Sequence, residues 1–181
     1  MFSATPEKEA AGPMSSLSAD RPGAIPGSVR ELSWSQFDAL TLELARGLAS
    51  TFRPDAVVGV AKGGVFVGGA IASVLQRDFY PVRISRKAGP DVVRDAPKAF
   101  GSLPKELKGL KVLVVDDVAD TGDTLKLAAQ LAEKAGASEI RTAALVVRPG
   151  GFRPDWSATE SDEPLSFPWD YGAAPRRFGE E

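Results

Sequence analysis

The sequence predicts an α/β fold in which a mainly parallel central sheet is covered by helices on both faces, with a small C-terminal hood. Short apolar runs rich in valine alternate with amphipathic stretches along the chain, which is the order of strand–helix–strand units. Two unusual stretches, "AKGG" and "DDVADTGDT", each follow one of those runs. Because ligands bind beyond the carboxyl ends of parallel strands, we expect the two stretches to form one site.

Composition narrows the class of protein. The 181 residues are enough for one domain with a buried core, and the formal net charge of -2 lacks the basic excess of duplex-binding proteins. Cysteine and histidine are both absent, which excludes disulfides, thiolate nucleophiles and every mechanism that uses an imidazole base. No stretch has the roughly 18 apolar residues of a membrane helix. We expect a soluble cytoplasmic protein that binds neither nucleic acid nor membrane.

The chain divides into three segments. Residues 1–30 are rich in Pro, Gly, Ser and Ala and lack periodicity, so they predict a disordered N-terminal tail. Residues 31–149 carry the alternating strands and helices and form the expected core. Residues 150–181 are rich in turn residues and form the expected hood and C-terminal tail. Trp156 and Trp169 fall in this last segment, and we expect them to form the core of the hood.

The first half of the core predicts a helix, a strand and a second helix. Apolar residues recur every three or four positions across residues 34–48, and Ser33 stands where it can cap this helix. Residues 56–60 are short, apolar and β-branched, like a strand that is buried on both faces. Helix resumes over residues 65–75, where the glycine pair at 68–69 predicts close packing of this helix on the sheet.

Apolar, β-branched runs in the second half predict three further strands. They cover residues 80–84, 111–116 and 140–147. A helix is expected to begin near Asp123 or Thr124 and to end at Gly136, because leucine and alanine recur on one stripe between them. Residues 85–108 are polar and show weak periodicity, so we expect a long loop that closes over the site as a lid.

The stretch "VVDDVADTGDT", residues 114–124, crowds four aspartates behind a strand. Free amides at the start of the next helix make an anion site, and Gly122 lets the backbone approach a ligand. A phosphate fits there, but the carboxylates would repel it unless they hold Mg²⁺ or accept hydrogen bonds from sugar hydroxyls. Simple helix capping remains an alternative for any single aspartate, although it does not explain Asp116 and Asp117 at a strand end. The pattern therefore predicts a phosphorylated sugar bound with a metal ion.

The longer stretch "VLVVDDVADTGDTL" closely resembles the phosphoribosyl-diphosphate-binding motif of type I phosphoribosyltransferases. "VVGVAKGG" resembles the diphosphate loop of that family, while "FRPDW" and "FPWD" resemble the carboxyl end of bacterial and archaeal hypoxanthine, guanine and xanthine phosphoribosyltransferases. The resemblance covers residues 32–170. It implies the fold of that family and an Mg²⁺-dependent enzyme that transfers 5-phosphoribose from phosphoribosyl diphosphate to a nucleobase, a 6-oxopurine, and releases diphosphate. It also implies a homo-oligomer, either a dimer or a tetramer.

The same resemblance implies roles for residues of both stretches. Asp116 and Asp117 would contact the ribose hydroxyls, and Asp117 would also hold Mg²⁺. Asp120 would act on purine N7 as the catalytic proton acceptor or donor. The 5′-phosphate would be held by Asp120, Thr121, Gly122, Asp123 and Thr124. The diphosphate would be held by Lys62, Gly63 and Gly64, after a cis peptide bond between Ala61 and Lys62.

The base-binding end departs from the family pattern. Arg148 stands where purine enzymes of this group carry a lysine against the exocyclic oxygen of the base. Arginine can donate to the same oxygen, but its guanidinium is planar, so it does not replace lysine without a change in geometry. Pro164 precedes Leu165 where relatives place a stacking aromatic residue. The predicted base contacts are therefore Arg148 and Leu165. These departures leave open a non-catalytic sensor of the same fold, which binds phosphoribosyl diphosphate or a nucleotide and regulates a partner.

Other phosphate-handling classes fit the sequence less well. A phosphoacceptor receiver domain has separated acids followed by a later lysine, whereas the acids of this chain are contiguous. Neither a GxxxxGK[ST] loop nor a GxGxxG fingerprint occurs, so ATP hydrolysis and dinucleotide binding have no support.

Overall fold

The computed structural model describes residues 29–87 and 93–170. In chain order the elements are β1 (Arg30–Glu31), α1 (Trp34–Thr51), β2 (Ala56–Ala61), α2 (Gly63–Leu75), β3 (Asp78–Lys87), β4 (Val93–Phe100), a 3-10 turn (Lys105–Leu107), β5 (Lys111–Ala119), α3 (Asp123–Lys134), β6 (Glu139–Val147), β7 (Trp156–Glu160) and β8 (Leu165–Ser166). Six strands form one sheet in the order β4-β3-β2-β5-β6-β7, and β1 pairs with β8 apart from it. Within the six-stranded sheet, β4 is antiparallel to β3 and all other neighbours are parallel.

Helices cover both faces of this sheet, because its central strands send alternate apolar side chains into two cores. On one face, α1 and α2 pack over Val57 and Leu113. On the other face, α3 and the 3-10 turn pack over Val58 and Val114. Strands buried on both faces read as continuous apolar runs, and the predicted fold class is confirmed. Among the helices that the structure describes, none is long and apolar enough to cross a membrane.

The start of α1 is fixed by the predicted cap. The Ser33 hydroxyl accepts a hydrogen bond from the Gln36 amide at 3.2 Å, and the Gln36 side chain accepts one from the Ser33 amide at 2.9 Å. This reciprocal pair satisfies two donors that a helix start otherwise leaves free. The buried stripe of α1, which includes Leu44 and Leu48, then faces the sheet.

Close packing of α2 on the sheet depends on one of the two predicted glycines. A Cβ on Gly68 would lie 2.9 Å from Cε2 of Phe79 and 3.2 Å from Cα of Gly59, which confirms the expectation for Gly68. A Cβ on Gly69 would meet no atom within 4 Å, so the expectation was wrong there. Helix α2 also begins at Gly63, two residues before the predicted start.

Residues 85–108, predicted as one long loop, contain regular structure, so the prediction of a loop was wrong. The closing of this segment over the site as a lid stays a prediction. Strand β3 continues to Lys87, and β4 runs back along it as the edge strand of the sheet. Residues 88–92 lie outside the described part of the chain. An edge strand needs hydrogen bonds on one side only, so it tolerates polar side chains and Pro97, which is why its sequence resembles a loop.

The predicted hood contributes to the main sheet. Strand β7 pairs in parallel with β6, so the sheet continues beyond the predicted core boundary at residue 149. Trp156 lies on β7 with its ring 5.7 Å from that of Phe52, at the end of α1, so it belongs to the main core and not to a hood core. Trp169 stacks on Phe66 of α2, with ring centroids 4.6 Å apart, and thereby joins the C-terminal segment to the α2 side of the sheet.

The short β1–β8 pair ties the two ends of the described chain together. Arg30 lies opposite Leu165, and its amide donates to the Pro164 carbonyl at 2.9 Å. Arg30 was the last residue of the predicted disordered tail, so the ordered fold begins at least this early. Residues 1–28 of that tail and residues 171–181 of the hood segment lie outside the described residues.

Candidate active site

Two neighbouring carboxylates lie within β5 near its carboxyl end. Asp116 is 8% exposed, and its Oδ1 accepts a hydrogen bond from the Asp117 amide at 3.0 Å. The Asp117 carboxylate accepts one from the Val118 amide at 2.9 Å. Burial raises the pKa of Asp116 well above its usual value, and repulsion from Asp117 raises it further. Burial also raises the pKa of Asp117. A cation or a hydroxyl donor would stabilise such a desolvated pair.

The lysine–glycine loop (residues 62–64) lies directly against these carboxylates. The Ala61–Lys62 peptide bond is cis, as the resemblance implied, and α2 begins at Gly63. A Cβ on Gly63 would overlap the Asp117 carboxylate, and a Cβ on Gly64 would lie 2.6 Å from a backbone carbonyl oxygen of β5. Only glycine therefore allows this approach. The two unusual stretches of the sequence meet near the carboxyl ends of the neighbouring strands β2 and β5.

The β5–α3 turn (residues 120–124) surrounds a cavity of about 350 Å³ at the start of α3. Gly122 has φ +75°, a left-handed conformation, and a Cβ there would overlap the ring of Phe152. The turn is braced by the Phe152 amide, which donates to the Asp120 carbonyl at 2.7 Å. Residues of the turn and its neighbours line the cavity. They are Arg86, Asp116, Val118, Ala119, Asp120, Thr121, Gly122, Thr124 and Leu125. Asp123, also predicted to contact a phosphate, opens the first turn of α3.

Arg86 is the charged lining residue that was not among the predicted site residues. It lies on β3, where its Nη1 donates to the Asp95 carbonyl on β4 at 2.7 Å. Its Nη2 pairs with the Asp123 carboxylate and lies 3.4 Å from the Thr121 hydroxyl. Arg86 was missed because residues 85–108 were interpreted as a loop. If the strand predicted at residues 80–84 had been extended to Arg86, this residue would have been placed at the carboxyl end of the strand, where the site lies.

The predicted base contacts lie at the hood. Arg148 follows β6 directly, and its Nη1 donates to the carbonyl oxygens of Ser161 at 3.1 Å and Glu163 at 2.6 Å. Leu165 lies on β8, where it is half-buried and packs against the α1–α2 core. The structure thus brings neither side chain into the cavity of the β5–α3 turn. Their contact with a base stays a prediction.

A third carboxylate near the pair was also missed. Burial is the main cause of the raised pKa of Asp117, and the charge of Asp170 adds to it. Asp170 accepts a hydrogen bond from the Phe167 amide at 2.8 Å, which fixes it at the end of the hood. The quoted "FPWD" contains this residue, but an aspartate in a turn-rich segment gives no local indication that it faces β5.

Comparison with known proteins agrees with this geometry. Residues 33–176 match the model of the phosphoribosyl transferase domain. The adenine phosphoribosyltransferase of Chlorobium limicola is 37% identical over 102 residues, which are 52% of this chain and 58% of that protein. The adenine phosphoribosyltransferase of Kineococcus radiotolerans is 34% identical over 124 residues, which are 64% of this chain and 67% of that protein. The match thus spans less than two thirds of the Chlorobium protein.

Solved structures show the same architecture. The purine phosphoribosyltransferase of Pyrococcus horikoshii is 29% identical with a TM-score of 0.69, covering 77% of this chain and 92% of that one. The xanthine-guanine-hypoxanthine phosphoribosyltransferase of Helicobacter pylori shares the fold at 19% identity, with a TM-score of 0.65, 79% of this chain and 94% of that one covered. Since the family model matches most of the chain and includes both loops at the shared edge, this protein belongs to the phosphoribosyl transferase domain family.

Proposed function

We propose that this protein transfers 5-phosphoribose from phosphoribosyl diphosphate to a purine base and releases diphosphate, with Mg²⁺ as cofactor. The observation that carries the proposal is the contact of the lysine–glycine loop with Asp116 and Asp117, beside the cavity of the β5–α3 turn. A ribose with a phosphate at one end and a diphosphate at the other matches this arrangement of two anion-binding turns around two carboxylates. The purine and adenine phosphoribosyltransferases among the related proteins support it.

The lysine–glycine loop suits the leaving group. The reaction breaks the bond between C1′ and a diphosphate oxygen and forms a bond between C1′ and a base nitrogen. Negative charge builds on the departing diphosphate, so a fixed positive charge stabilises the transition state. Lys62 is exposed at the N-cap of α2, where the helix dipole also favours an anion. Lys62, Gly63 and Gly64 would therefore hold the diphosphate.

The β5–α3 turn suits the 5′-phosphate and the base proton. Amides at the start of α3, with the hydroxyls of Thr121 and Thr124, would bind the phosphate oxygens. The base loses a proton as it joins the ribose, and Asp120 would exchange a proton with purine N7. Its side chain is exposed and lines the cavity, so it can approach a base there.

Asp116 and Asp117 fit a magnesium ion and the ribose hydroxyls. Mg²⁺ prefers oxygen ligands and is commonly held by one or two carboxylates, with substrate oxygens and water completing its shell. The raised pKa of both groups means that a bound cation would offset their burial and mutual repulsion. Asp117 lies against Gly63 and is the residue we propose for the metal. When bound, Mg²⁺ would neutralise charge on the diphosphate.

We propose a 6-oxopurine as the base, with adenine as the competing candidate. Arg148 is a donor only, so it favours an exocyclic oxygen over the amino group of adenine. Its Nη1 already donates to two hood carbonyls, so a base oxygen would be bound by another nitrogen of the same guanidinium. The relatives named adenine phosphoribosyltransferases make adenine the necessary comparison.

A nucleobase panel tests the enzyme. Diphosphate release should occur when phosphoribosyl diphosphate and Mg²⁺ are mixed with hypoxanthine, guanine or xanthine, should be slower with adenine, and should stop in EDTA. Asp120→Asn should lower kcat by about 100- to 10,000-fold, because a general acid–base group contributes that much. Asp78 is exposed at the start of β3, at the other end of this strand from Arg86 and the cavity. Asp78→Asn is therefore the matched control and should retain activity. Silence with every base would refute the enzyme, and tight calorimetric binding of phosphoribosyl diphosphate without turnover would favour the non-catalytic sensor.

We also propose a homo-oligomer, a dimer or tetramer, on the evidence of α2. This helix carries no charged residue, yet Phe66 and Val74 are 41% and 44% exposed. Helices that are apolar on all sides are normally covered, so we propose that a second copy packs here. Light scattering should show an oligomer that Val74→Glu converts to monomer. A monomeric wild-type protein would refute this proposal.

A further inference from the structure

An ion pair crosses the mouth of the cavity at the β5–α3 turn. Arg86 from β3 reaches Asp123, the first residue of α3, and its Nη2 also lies 3.4 Å from the Thr121 hydroxyl. The guanidinium is held from the other side by the Asp95 carbonyl, which accepts from Nη1 at 2.7 Å. We propose that Asp123 is an internal counter-anion: it occupies Arg86 while the cavity holds no phosphate and gives Arg86 up to the 5′-phosphate when substrate binds. This inference rests on the function proposed above.

The positions of the two groups make Asp123 and a phosphate competitors. Arg86 lines the same cavity as Thr121, Gly122 and Thr124, so a phosphate bound by that turn comes within reach of the guanidinium. Asp123 already places one negative charge at the positive end of α3, which is also the anion site of the turn. A phosphate dianion carries about twice that charge and more acceptor oxygens, so it attracts the same guanidinium more strongly.

The ion pair is weak enough to be exchanged. Its side chains are 35% and 42% exposed, and pairs this open to water change an equilibrium by only about two- to fivefold. The Asp123 carboxylate is not left alone when it loses Arg86, because Lys126 lies 3.9 Å away on the next turn of α3. Asp123 can therefore turn toward Lys126 while Arg86 takes the phosphate.

The exchange has a consequence for β3 and β4. Because Arg86 is bound to Asp95 on β4 and to Asp123 on α3, it connects the edge strand of the sheet to the β5–α3 turn. Within the sheet β4 has one neighbour, β3, so this connection helps to protect the β4 amides from hydrogen exchange. Arg86 is thus a positioning residue in the free protein and a phosphate contact in the complex.

Calorimetry with ribose 5-phosphate, which carries the 5′-phosphate but no diphosphate, tests the exchange in four proteins: wild type, Asp123→Asn, Arg86→Met and the double variant. Asp123→Asn should tighten binding about two- to fivefold, because Arg86 becomes free. Arg86→Met should weaken it about ten- to a hundredfold, through loss of a charge-assisted hydrogen bond. In the Arg86→Met protein, adding Asp123→Asn should change affinity less than about twofold. Glu133→Gln, exposed near the far end of α3, is the control for a lost charge and should bind like wild type.

Hydrogen exchange of the ligand-free protein gives an independent measurement. Asp123→Asn should raise the exchange of β4 amides, and Glu133→Gln should not. If Asp123→Asn tightens ribose 5-phosphate binding equally with and without Arg86, Asp123 simply repels the phosphate, and the inference is overturned. Unchanged hydrogen exchange of the β4 amides in Asp123→Asn would also overturn it. If the wild type binds no ribose 5-phosphate, the proposed function falls and the exchange with it. If ribose 5-phosphate binds but Asp123→Asn changes its affinity equally in the wild-type and Arg86→Met proteins, only the transfer of Arg86 from Asp123 to the phosphate is refuted, and the proposed function stands.

Discussion

Replacing Gly64 with alanine should damage the contact between the lysine–glycine loop and β5. The added Cβ would lie 2.6 Å from the Val115 carbonyl oxygen and 2.9 Å from Cα of Asp116. Carbon–oxygen contacts settle at about 3.3 Å or more, so roughly 0.5–1 Å of movement is required. Because both neighbours are backbone atoms, no side chain can rotate away to provide it. Either α2 or the Asp116 segment of β5 must shift.

The size of the effect follows from two opposing contributions. Overpacking costs about 1–3 kcal/mol, while alanine is better than glycine inside a helix by about 0.5–1 kcal/mol. The net loss should be about 1–2 kcal/mol, which lowers Tm by roughly 2–8 °C for a chain of this length. If the protein is the proposed enzyme, moving Asp116 by about 1 Å should also lower kcat/KM by about 100-fold.

Gly69→Ala is the matched control. It makes the same change in the same helix, where an added Cβ meets nothing within 4 Å. Its stability should equal that of the wild type or exceed it by about 0.5–1 kcal/mol, with kcat/KM unchanged. Thermal unfolding followed by circular dichroism measures the first quantity, and initial rates of diphosphate release measure the second. Equal Tm and kcat/KM for Gly64→Ala and Gly69→Ala would refute the close contact of the two loops.

Three further changes test other parts of the structure. The folded-state pKa of Asp116 is raised, so above the ordinary carboxyl pKa the folded protein binds more protons than the unfolded chain, and its stability falls as pH rises. In EDTA, urea unfolding should show Asp116→Asn to be more stable than wild type at neutral pH, and this difference in stability should shrink as the pH falls toward the ordinary carboxyl pKa. A difference that stays constant with pH would contradict this. Trp169→Ala should cost about 3–5 kcal/mol in urea unfolding because the ring is buried, and a loss no larger than that of Trp34→Ala, which removes a ring that is 52% exposed, would argue against the packing. Asp155→Ala should cost about 1–3 kcal/mol, because the Asp155 carboxylate accepts from the Thr142 amide and hydroxyl at 2.8 and 2.9 Å, and Asp155→Asn should recover part of that loss.

The fold could be predicted where the pattern is local and continuous. Strands β2, β5 and β6 each contain a short apolar run that is buried on both faces, at residues 56–60, 112–115 and 143–147. Strand β4 could not be predicted, because half of an edge strand faces solvent and its sequence is free to be polar. Strand β7 was assigned to the hood for a related reason: its place depends on long-range pairing with β6, which a five-residue run does not encode.

The candidate site divides in the same way. The acids and the β5–α3 turn are contiguous in sequence, so one motif predicts them together, and the glycines of the lysine–glycine loop are explained by their approach to Asp117. Arg86 and Asp170 reach the site through tertiary structure, one on the end of a strand and one at the end of the hood. Arg148 shows the converse limit, since its position predicts a base contact while its Nη1 donates to the backbone of the hood.

The pairing of Arg30 with Leu165 has a practical consequence for rewiring the chain. The pair is parallel, so the start of β1 lies beside the start of β8, whereas Asp170 follows the other end of β8. A glycine-rich linker that runs back along the pair could join Asp170 to Val29 in a circular permutant. New termini could be opened at Ser102, which is exposed between β4 and the 3-10 turn and distant in sequence from both loops. Such a permutant would keep every strand of the main sheet, and it would allow a reporter protein to be attached between β4 and the 3-10 turn.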